Sequence, residues 1–457
     1  MSTTVKIHFL GAAGTVTGSK FLIETPNYNI LIDCGMFQGL KKLRKLNWEP
    51  FPFPPENIDL VLLTHGHLDH TAYLPKLVLQ GYNNPVRATA PTLAIATIII
   101  MDSAKIQEEY AENANEEGYT IHDPALPIYN VEDAKRTIGY FESAEIDTWY
   151  TATKDIRYRF IMNGHIIGST FIELDIFGKR FVFSGDIGRK NDALLEAPKK
   201  PESADFIFME STYGNKLHAE DDADNILIDA IKNTIQKRGN LIIPSFAVER
   251  LQTLMYKLWQ LYKKNLIPNI PIFVDSPMGN EVLEVFEAFS SWHKLSLSEY
   301  KAMKHHFNII TSYRDTWNTI DDPRPKVVIA GSGMVTGGRV LTYLRYALEE
   351  PENTVLLVGY QAEGTRGRQL QEGQHEIKIA GKYYKVKAIV RQIESLSAHA
   401  DQQELLSWLS NIQNTPQKIF LIHGEEMARD TLRVKIKDTY NWPVYLPHLN
   451  EVVNLKF

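Results

Sequence analysis

The chain has 457 residues, 44% hydrophobic and 23% charged, close to the average of soluble globular proteins; burial can therefore offset chain entropy, and disorder is excluded. A net charge of −6 argues against a protein that coats nucleic acid through general electrostatics, although it leaves room for a local groove. The single cysteine, Cys34, rules out an intramolecular disulfide and any cysteine-based zinc or iron–sulfur site, which fits the cytoplasm as the expected compartment.

A soft prior of roughly 100–200 residues per domain suggests two or three domains. The start, MSTTVKIHFLG, has no basic segment followed by a long apolar one, and no uncharged apolar run approaches the length of a membrane span. Neither export nor membrane spanning is expected.

In chain order, VKIHFLGAAGTVTGSKFLIET and NYNILIDCG read as three short strands, with a glycine-rich loop after the first and a Pro26–Asn27 turn between the later two. GAAGTVTG is not a dinucleotide loop, because a strand follows it and offers no helix N-terminus to a pyrophosphate. The apolar strand IDLVLLT then runs into HGHLDH, and TAYLPKLVLQG looks helical. KKLRK at Lys41–Lys45 reads as a solvated loop. Residues from about Pro91 to Ser143 have helix-like composition, with an acidic end that suits a solvated face. RYRFIMNGHIIGSTFIELDIFGKRFVFSGDIG reads as strand, loop, hairpin and strand, with Phe177–Lys179 turning around Gly178.

From about Glu210 strands and helices alternate. GNLIIPSFAVERLQTLMYKLWQLY, PIFVDSPMGNEVLEVFEAF and KVVIAGSGMVTGGRVLTYLRYALEE each give an apolar strand, a turn and an amphipathic helix. Such units specify a mostly parallel sheet covered on both faces. A hairpin-like stretch, HEIKIAGKYYKVKAIVRQI, comes next, and the chain closes with a helix, the strand KIFLIHG, a helix and a strand.

The chemistry concentrates in HGHLDH. His65 and His67 flank a glycine, and Asp69 and His70 follow at once, so a tight loop at a strand end can turn the first two imidazoles to one point and the Asp–His pair to another. Zinc suits such nitrogen and carboxylate ligands. A pair of zinc ions needs roughly eight ligand contacts. His165, on a loop between strands, and Asp186, ending the strand RFVFSGD where a carboxylate can bridge two metals, are the further suppliers.

These residues carry a resemblance. LIDCG with Asp33, HGHLDH, GHIIGS with His165 and SGDIG with Asp186 resemble the four sequential motifs of the metallo-β-lactamase fold. MESTYG with Glu210, SLSAHAD with His399 and LIHGEE with His423 are similar to motifs A, B and C of the β-CASP nucleases. That group contains ribonuclease J and the nuclease subunit of the eukaryotic pre-mRNA 3′-end cleavage factor. The similarity covers nearly the whole chain and is closest to short bacterial and archaeal members without KH domains.

The resemblance implies an α/β protein, a four-layer αββα sandwich with an inserted β-CASP domain having a mostly parallel sheet. The expected division is 1–209 and 395–457 for the sandwich and 210–394 for the insert. One of two Zn2+ ions would be held by His65, His67, His165 and Asp186, the other by Asp69, His70, Asp186 and His423. Asp33 would hydrogen-bond the back of a ligand histidine, expected to be His65, fixing its tautomer.

His399 would be the general acid at the leaving group, with Glu210 orienting it and favouring the imidazolium. The histidine at motif C accompanies RNA-directed members of the group. AGSGMVTGGR, with Ser332, Thr336 and Arg339, resembles the phosphate-contacting loop; it ends a strand and opens a helix. Ser245, Arg250, Arg366 and Arg368 are candidate backbone clamps, since guanidinium forks suit phosphates.

The implied activity is zinc-dependent hydrolysis of single-stranded RNA, threaded into a narrow cleft, to 5′-phosphate and 3′-hydroxyl ends. Whether the enzyme works as an endonuclease or a 5′ exonuclease is left open, and relatives suggest a homodimer. The competing readings are a hydrolase of a small thioester, ester or lactam, a catalytically silent RNA-binding scaffold, and a transfer-RNA 3′-processing enzyme.

Overall fold

The computed structural model describes residues 4–117, 122–219, 221–362 and 364–457. They form two compact units: residues 1–192, 197–217 and 399–457, and residues 193–196 and 218–398.

The first unit is built on two seven-stranded sheets. Along Thr4–Phe9 the burial alternates strictly, so Val5, Ile7 and Phe9 face inward, as a strand of period two requires. Ile156–Met162, Thr170–Ile176 and Lys179–Phe183 are covered on both faces: Tyr158, Phe160, Ile172, Leu174, Phe181 and Phe183 enter the core shared with Thr4–Phe9, while Ile161, Phe171 and Val182 point to the other side. Three strands of the second sheet are in parallel register, which sets Phe183, Phe208 and Phe420 side by side. Their rings stack at 4.1 Å and 4.8 Å, and Phe9 from the opposite sheet closes on Phe420 at 5.4 Å. Such ring pairs add about 0.5–1.5 kcal/mol each beyond area burial. The outer face of this sheet is covered by helices Gln402–Leu409 and Glu426–Tyr440 through Leu405, Trp408, Leu432 and Ile436.

The helical region after Val86–Ala88 resolves into helices Ala90–Glu117 and Val131–Ile138 and then a strand, Phe141–Ser143, so its last residues are extended. Residues 118–121, within the expected helical stretch, lie outside the described residues. Lys41–Lys45 forms a short exposed helix where a loop is expected. The chain ends in two strands: Val444–Tyr445 joins the second sheet beside Lys418–Ile422, and Val452–Lys456 pairs antiparallel with Thr4–Phe9 in the first.

The second unit carries a six-stranded sheet, all of it parallel, with Val327–Ala330 and Leu241–Pro244 at the centre. Leu241–Pro244, Val327–Ala330 and Thr354–Val358 are buried along their whole length, as the continuous apolar runs LIIP, VVIA and TVLLV anticipate. Helices Arg250–Lys263, Pro277–Ala288 and Arg339–Ala347 follow the strands that the sequence pairs with them. The hairpin Glu376–Ile379 with Lys382–Lys385 stands apart, and Ile389–Ile393 leaves it to pair with Thr354–Val358 at the sheet edge. No helix among the described residues is long and apolar enough to cross a membrane.

Candidate metal centre

In the first unit nearly every side chain of interest follows the C-terminal end of a strand. Asp33 comes after Asn29–Ile32, residues 65–70 after Leu60–Leu62, His165 after Ile156–Met162, Asp186 after Lys179–Phe183, and His423 after Lys418–Ile422, while Glu210 is the last residue of Phe206–Glu210. The strand before Asp186 stops at Phe183, so the aspartate sits on the loop beyond it. His399 arrives differently, just ahead of helix Gln402–Leu409.

The expected ligands fall into two groups. His65 Nε2 and His165 Nε2 lie 3.1 and 3.3 Å from His67 Nδ1, and 3.5 and 3.6 Å from Asp186 Oδ2. His70 Nε2 and Asp69 Oδ2 each lie 3.3 Å from His423 Nε2. Asp186 Oδ1 is 3.5 Å from His70 Nε2 and 3.4 Å from His423 Nδ1. The two oxygens of Asp186 thus face different groups. A short helix, Leu68–Thr71, carries Asp69 and His70 around to the second group.

Four donors at about 2.1 Å from a tetrahedral ion stand about 3.4 Å apart. The observed spacings fit that requirement, and Asp186 Oδ1 is buried without a hydrogen-bond partner, as an oxygen reserved for a cation would be. The donor set of imidazoles and carboxylates matches a pair of divalent ions sharing Asp186.

Around these groups the ring orientations are fixed from behind. Asp33 contacts His70 and not His65: its Oδ2 is 2.7 Å from His70 Nδ1. His65 Nδ1 instead faces Thr64 Oγ1 at 3.1 Å, and the Thr64 hydroxyl and N–H both reach the Asp33 carboxylate. The reason is geometric. Asp33 adopts a left-handed backbone, φ 57°, that directs its carboxylate at His70. His423 is likewise left-handed, φ 46°, and its Nδ1 lies 3.1 Å from Thr212 Oγ1.

Electrostatics separate the histidines. Burial and the adjacent imidazoles hold His65 well below its ordinary value, and burial carries His67 down to about 4. At His70 burial also disfavours charge, but the carboxylates of Asp186, Asp33 and Asp69 overcome it and push the group up to about 10. Asp69 is held below the usual carboxylate range because His70 and His423 outweigh its burial, whereas burial dominates at Asp186 and raises it.

His399 sits beside the first group, its ring 4.4 Å from that of His165. Its Nδ1 lies 3.3 Å from Glu210 Oε2, and Glu210 also accepts the Ile187 N–H. Burial opposes the imidazolium, yet Glu210 raises it to about 9; Glu210 itself is lowered by His399 in spite of its own burial.

The sequence candidates in the second unit divide. Ser332 and Thr336 face each other at 3.1 Å on the loop after Val327–Ala330, with Thr336 exposed. Arg339 is turned inward: it is buried, donates to Thr316 Oγ1 at 2.6 Å, lies 3.8 Å from Asp275 Oδ1 and stacks 3.5 Å over Tyr313. Arg366 donates to Lys378 O and Thr336 O, Arg368 pairs with Glu372, and the buried Ser245 hydroxyl donates to Phe246 O. Arg250 begins its helix with its side chain against Gly359.

Sequence reasoning missed Ser19, Thr64, Asn163 and Thr212. Ser19 donates to Asp33 at 3.2 Å. The other three lie within two positions of a ligand or of Glu210, and adjacency is the only signal that could have found them.

Residues 13–213 match the model of the Metallo-beta-lactamase superfamily, residues 251–370 the Beta-Casp domain, and residues 383–447 the Zn-dependent metallo-hydrolase RNA specificity domain. Ribonuclease TTHA0252 of Thermus thermophilus is 33% identical over 423 residues, 91% of this chain and 92% of that one. The chain belongs to the metallo-β-lactamase/β-CASP family of RNA-processing nucleases. Other members of the β-CASP family include the transcription termination factor FttA of Methanosarcina mazei, 32% identical across 93% of this chain and 67% of its own length. An RNase J-like protein of Methanocaldococcus jannaschii is 28% identical across 97% and 98%. The crystal structure of a protein of unknown function from Enterococcus faecalis V583 superposes over the full length of both chains with a TM-score of 0.55 at 13% identity, a likeness of fold alone.

Proposed function

We propose that the chain is a two-zinc ribonuclease that hydrolyses phosphodiester bonds of single-stranded RNA to 5′-phosphate and 3′-hydroxyl ends, in RNA processing or decay. The observation that carries this reading is the shared Asp186, whose two oxygens each face one cluster of imidazole donors. His65, His67 and His165 would hold one ion with it, and Asp69, His70 and His423 the other. Bound zinc would supply Lewis acidity, lowering the pKa of water toward neutrality and offsetting charge that develops on the phosphate.

The protein's own groups do the rest. Thr64 and Asp33 hold the proton of His65 and His70 on Nδ1, which leaves each Nε2 lone pair for a metal. His399 turns its Nδ1–H to Glu210, so its Nε2–H is the proton offered to the departing 3′ oxygen. The Ser332 and Thr336 hydroxyls are the most suitable phosphate contacts on the second unit, with Arg250 as a further cation. Arg339, Arg366 and Arg368 are better read as internal supports, because their guanidinium groups already serve protein oxygens. The relative named a ribonuclease and the matched RNA specificity domain, which spans His399 and His423, favour RNA over a small thioester or ester.

The test is incubation of zinc-loaded protein with 5′- and 3′-labelled RNA of defined sequence beside an acylthiol substrate. RNA cleavage leaving 5′-phosphate ends is expected, abolished by chelation and restored by zinc. Products ending in 2′,3′-cyclic phosphate, or turnover of the acylthiol alone, would overturn the reading.

A further inference from the structure

Asp186 is the carboxylate on which both donor clusters converge, yet among the described residues no hydrogen bond reaches its Oδ1, and its Oδ2 faces the imidazoles of His65, His165 and His399 at 3.5 to 3.9 Å. Its position must therefore be set through the main chain of its loop. Two side chains grip that loop: Glu210 accepts the Ile187 N–H beyond Asp186, and a second residue spans Asp186 itself. Asn163, fully buried, donates both amide hydrogens across it, to Ser184 O at 2.6 Å and to Asp186 O at 2.5 Å. In return Gly188 N–H donates to Asn163 O at 2.9 Å, and the two loops meet so closely that a Cβ on Gly188 would overlap Gly164 O.

Asn163 is also anchored on its own side. Its N–H donates to Ser169 O at 3.0 Å, and Ser169 Oγ accepts the N–H of His165 at 2.9 Å. One residue thus ties together the loop carrying His165 and the loop carrying Asp186. The chemistry is directional: a primary amide supplies two hydrogens from one atom to two carbonyls, and no side chain of the same shape does so.

We infer that Asn163 is the positioning residue that sets where the shared carboxylate of Asp186 stands between the two donor clusters. The inference rests on the two-zinc reading above. Metal affinity should then depend on Asn163 more steeply than folding does, because groups that orient ligands from behind typically govern affinity by about 10- to 100-fold.

Asn163→Asp keeps the shape and replaces the two donors with a carboxylate facing two carbonyls; Asn163→Ala removes the donors without adding charge. Both are compared with the unaltered chain by zinc stoichiometry, by zinc affinity in chelator competition, by the visible absorption of the Co2+-substituted protein, and by the melting temperature of the metal-free form. Expected are a zinc affinity lowered about 10- to 100-fold in the folded variants and an altered Co2+ spectrum. A variant that merely loosens the fold would lower the melting temperature and leave the affinity and spectrum of its folded fraction unchanged, and that result overturns the inference. So does failure of both variants to fold, which would make Asn163 a residue of the core and not of the metal geometry. If the unaltered chain holds fewer than two zinc ions, the two-zinc reading fails first and the inference falls with it.

Discussion

Asp33 and His70 are joined by a 2.7 Å hydrogen bond between Oδ2 and Nδ1, both side chains buried, with Thr64 donating to the same carboxylate from its N–H and its hydroxyl. The carboxylate fixes which nitrogen of His70 is free and makes it a more basic ligand. Asp33→Asn should therefore weaken zinc at the group formed by Asp69, His70 and His423 by about 10- to 100-fold while the other group keeps its ion. Metal analysis of the dialysed variant should give close to one zinc per chain. Two tightly held ions would show that Asp33 is only a turn residue.

His70 also sets a proton count. In the metal-free chain the surrounding carboxylates raise it to about 10, so near pH 8 its imidazole is charged. A divalent ion at Nε2 must displace that proton, and calorimetry in two buffers of different ionisation heat should report at least one proton released per chain. The linked stability follows from the sign of the shift. A raised pKa contributes stability that is complete below about 6.5 and is lost as pH rises through about 10. His399, raised to about 9, acts in the same sense, whereas buried Lys20, lowered to about 8, gains stability as pH rises in both forms. Between pH 7 and 10 the metal-free melting temperature should thus fall relative to that of the zinc-loaded protein. Parallel curves would contradict the assignment.

Glu210 and His399 form an orienting pair at 3.3 Å. His399→Ala should lower kcat by about 10²- to 10⁴-fold while two zinc ions remain bound. Glu210→Gln removes the charge that favours the imidazolium but leaves an oxygen for the Ile187 N–H, so the alkaline limb of the rate profile should move to lower pH. An unmoved limb would separate Glu210 from the acid.

Arg339 and Thr336 occupy the same loop-and-helix junction and should behave in opposite ways. Arg339→Ala leaves Asp275 buried without its cation and should cost about 3–5 kcal/mol of stability, visible as early melting of the second unit. Thr336→Ala, at an exposed position, should change stability by less than about 0.5 kcal/mol and raise KM for RNA. A stable Arg339→Ala protein with weakened RNA binding would reverse these roles.

Much of the centre was legible because its ligands are close in sequence or follow strand ends. The spacing in HGHLDH splits four donors between two points through local geometry alone, and apolar runs such as IDLVLLT, KRFVF and KIFLI announce the strands ahead of His65, Asp186 and His423. The alternation in Thr4–Phe9 and the continuous burial of Leu241–Pro244 and Val327–Ala330 follow from side-chain pattern in the same way. The extended Phe141–Ser143 was not legible, since three residues carry no period and only pairing with Val86–Ala88 makes them a strand.

By itself the sequence determined the kinds of ligand, their local spacing and the alternation of strands and helices, because these depend on interactions a few residues apart. Only the tertiary structure decided that Asp33 serves His70, that Arg339 faces Asp275, and that Asn163 clamps the loop of Asp186. Those pairings join residues 37 positions apart for Asp33 and His70 and 23 for Asn163 and Asp186, and the contact of His70 with His423 spans 353. They are fixed by strand register and by left-handed backbone at Asp33 and His423, which no short-range pattern encodes.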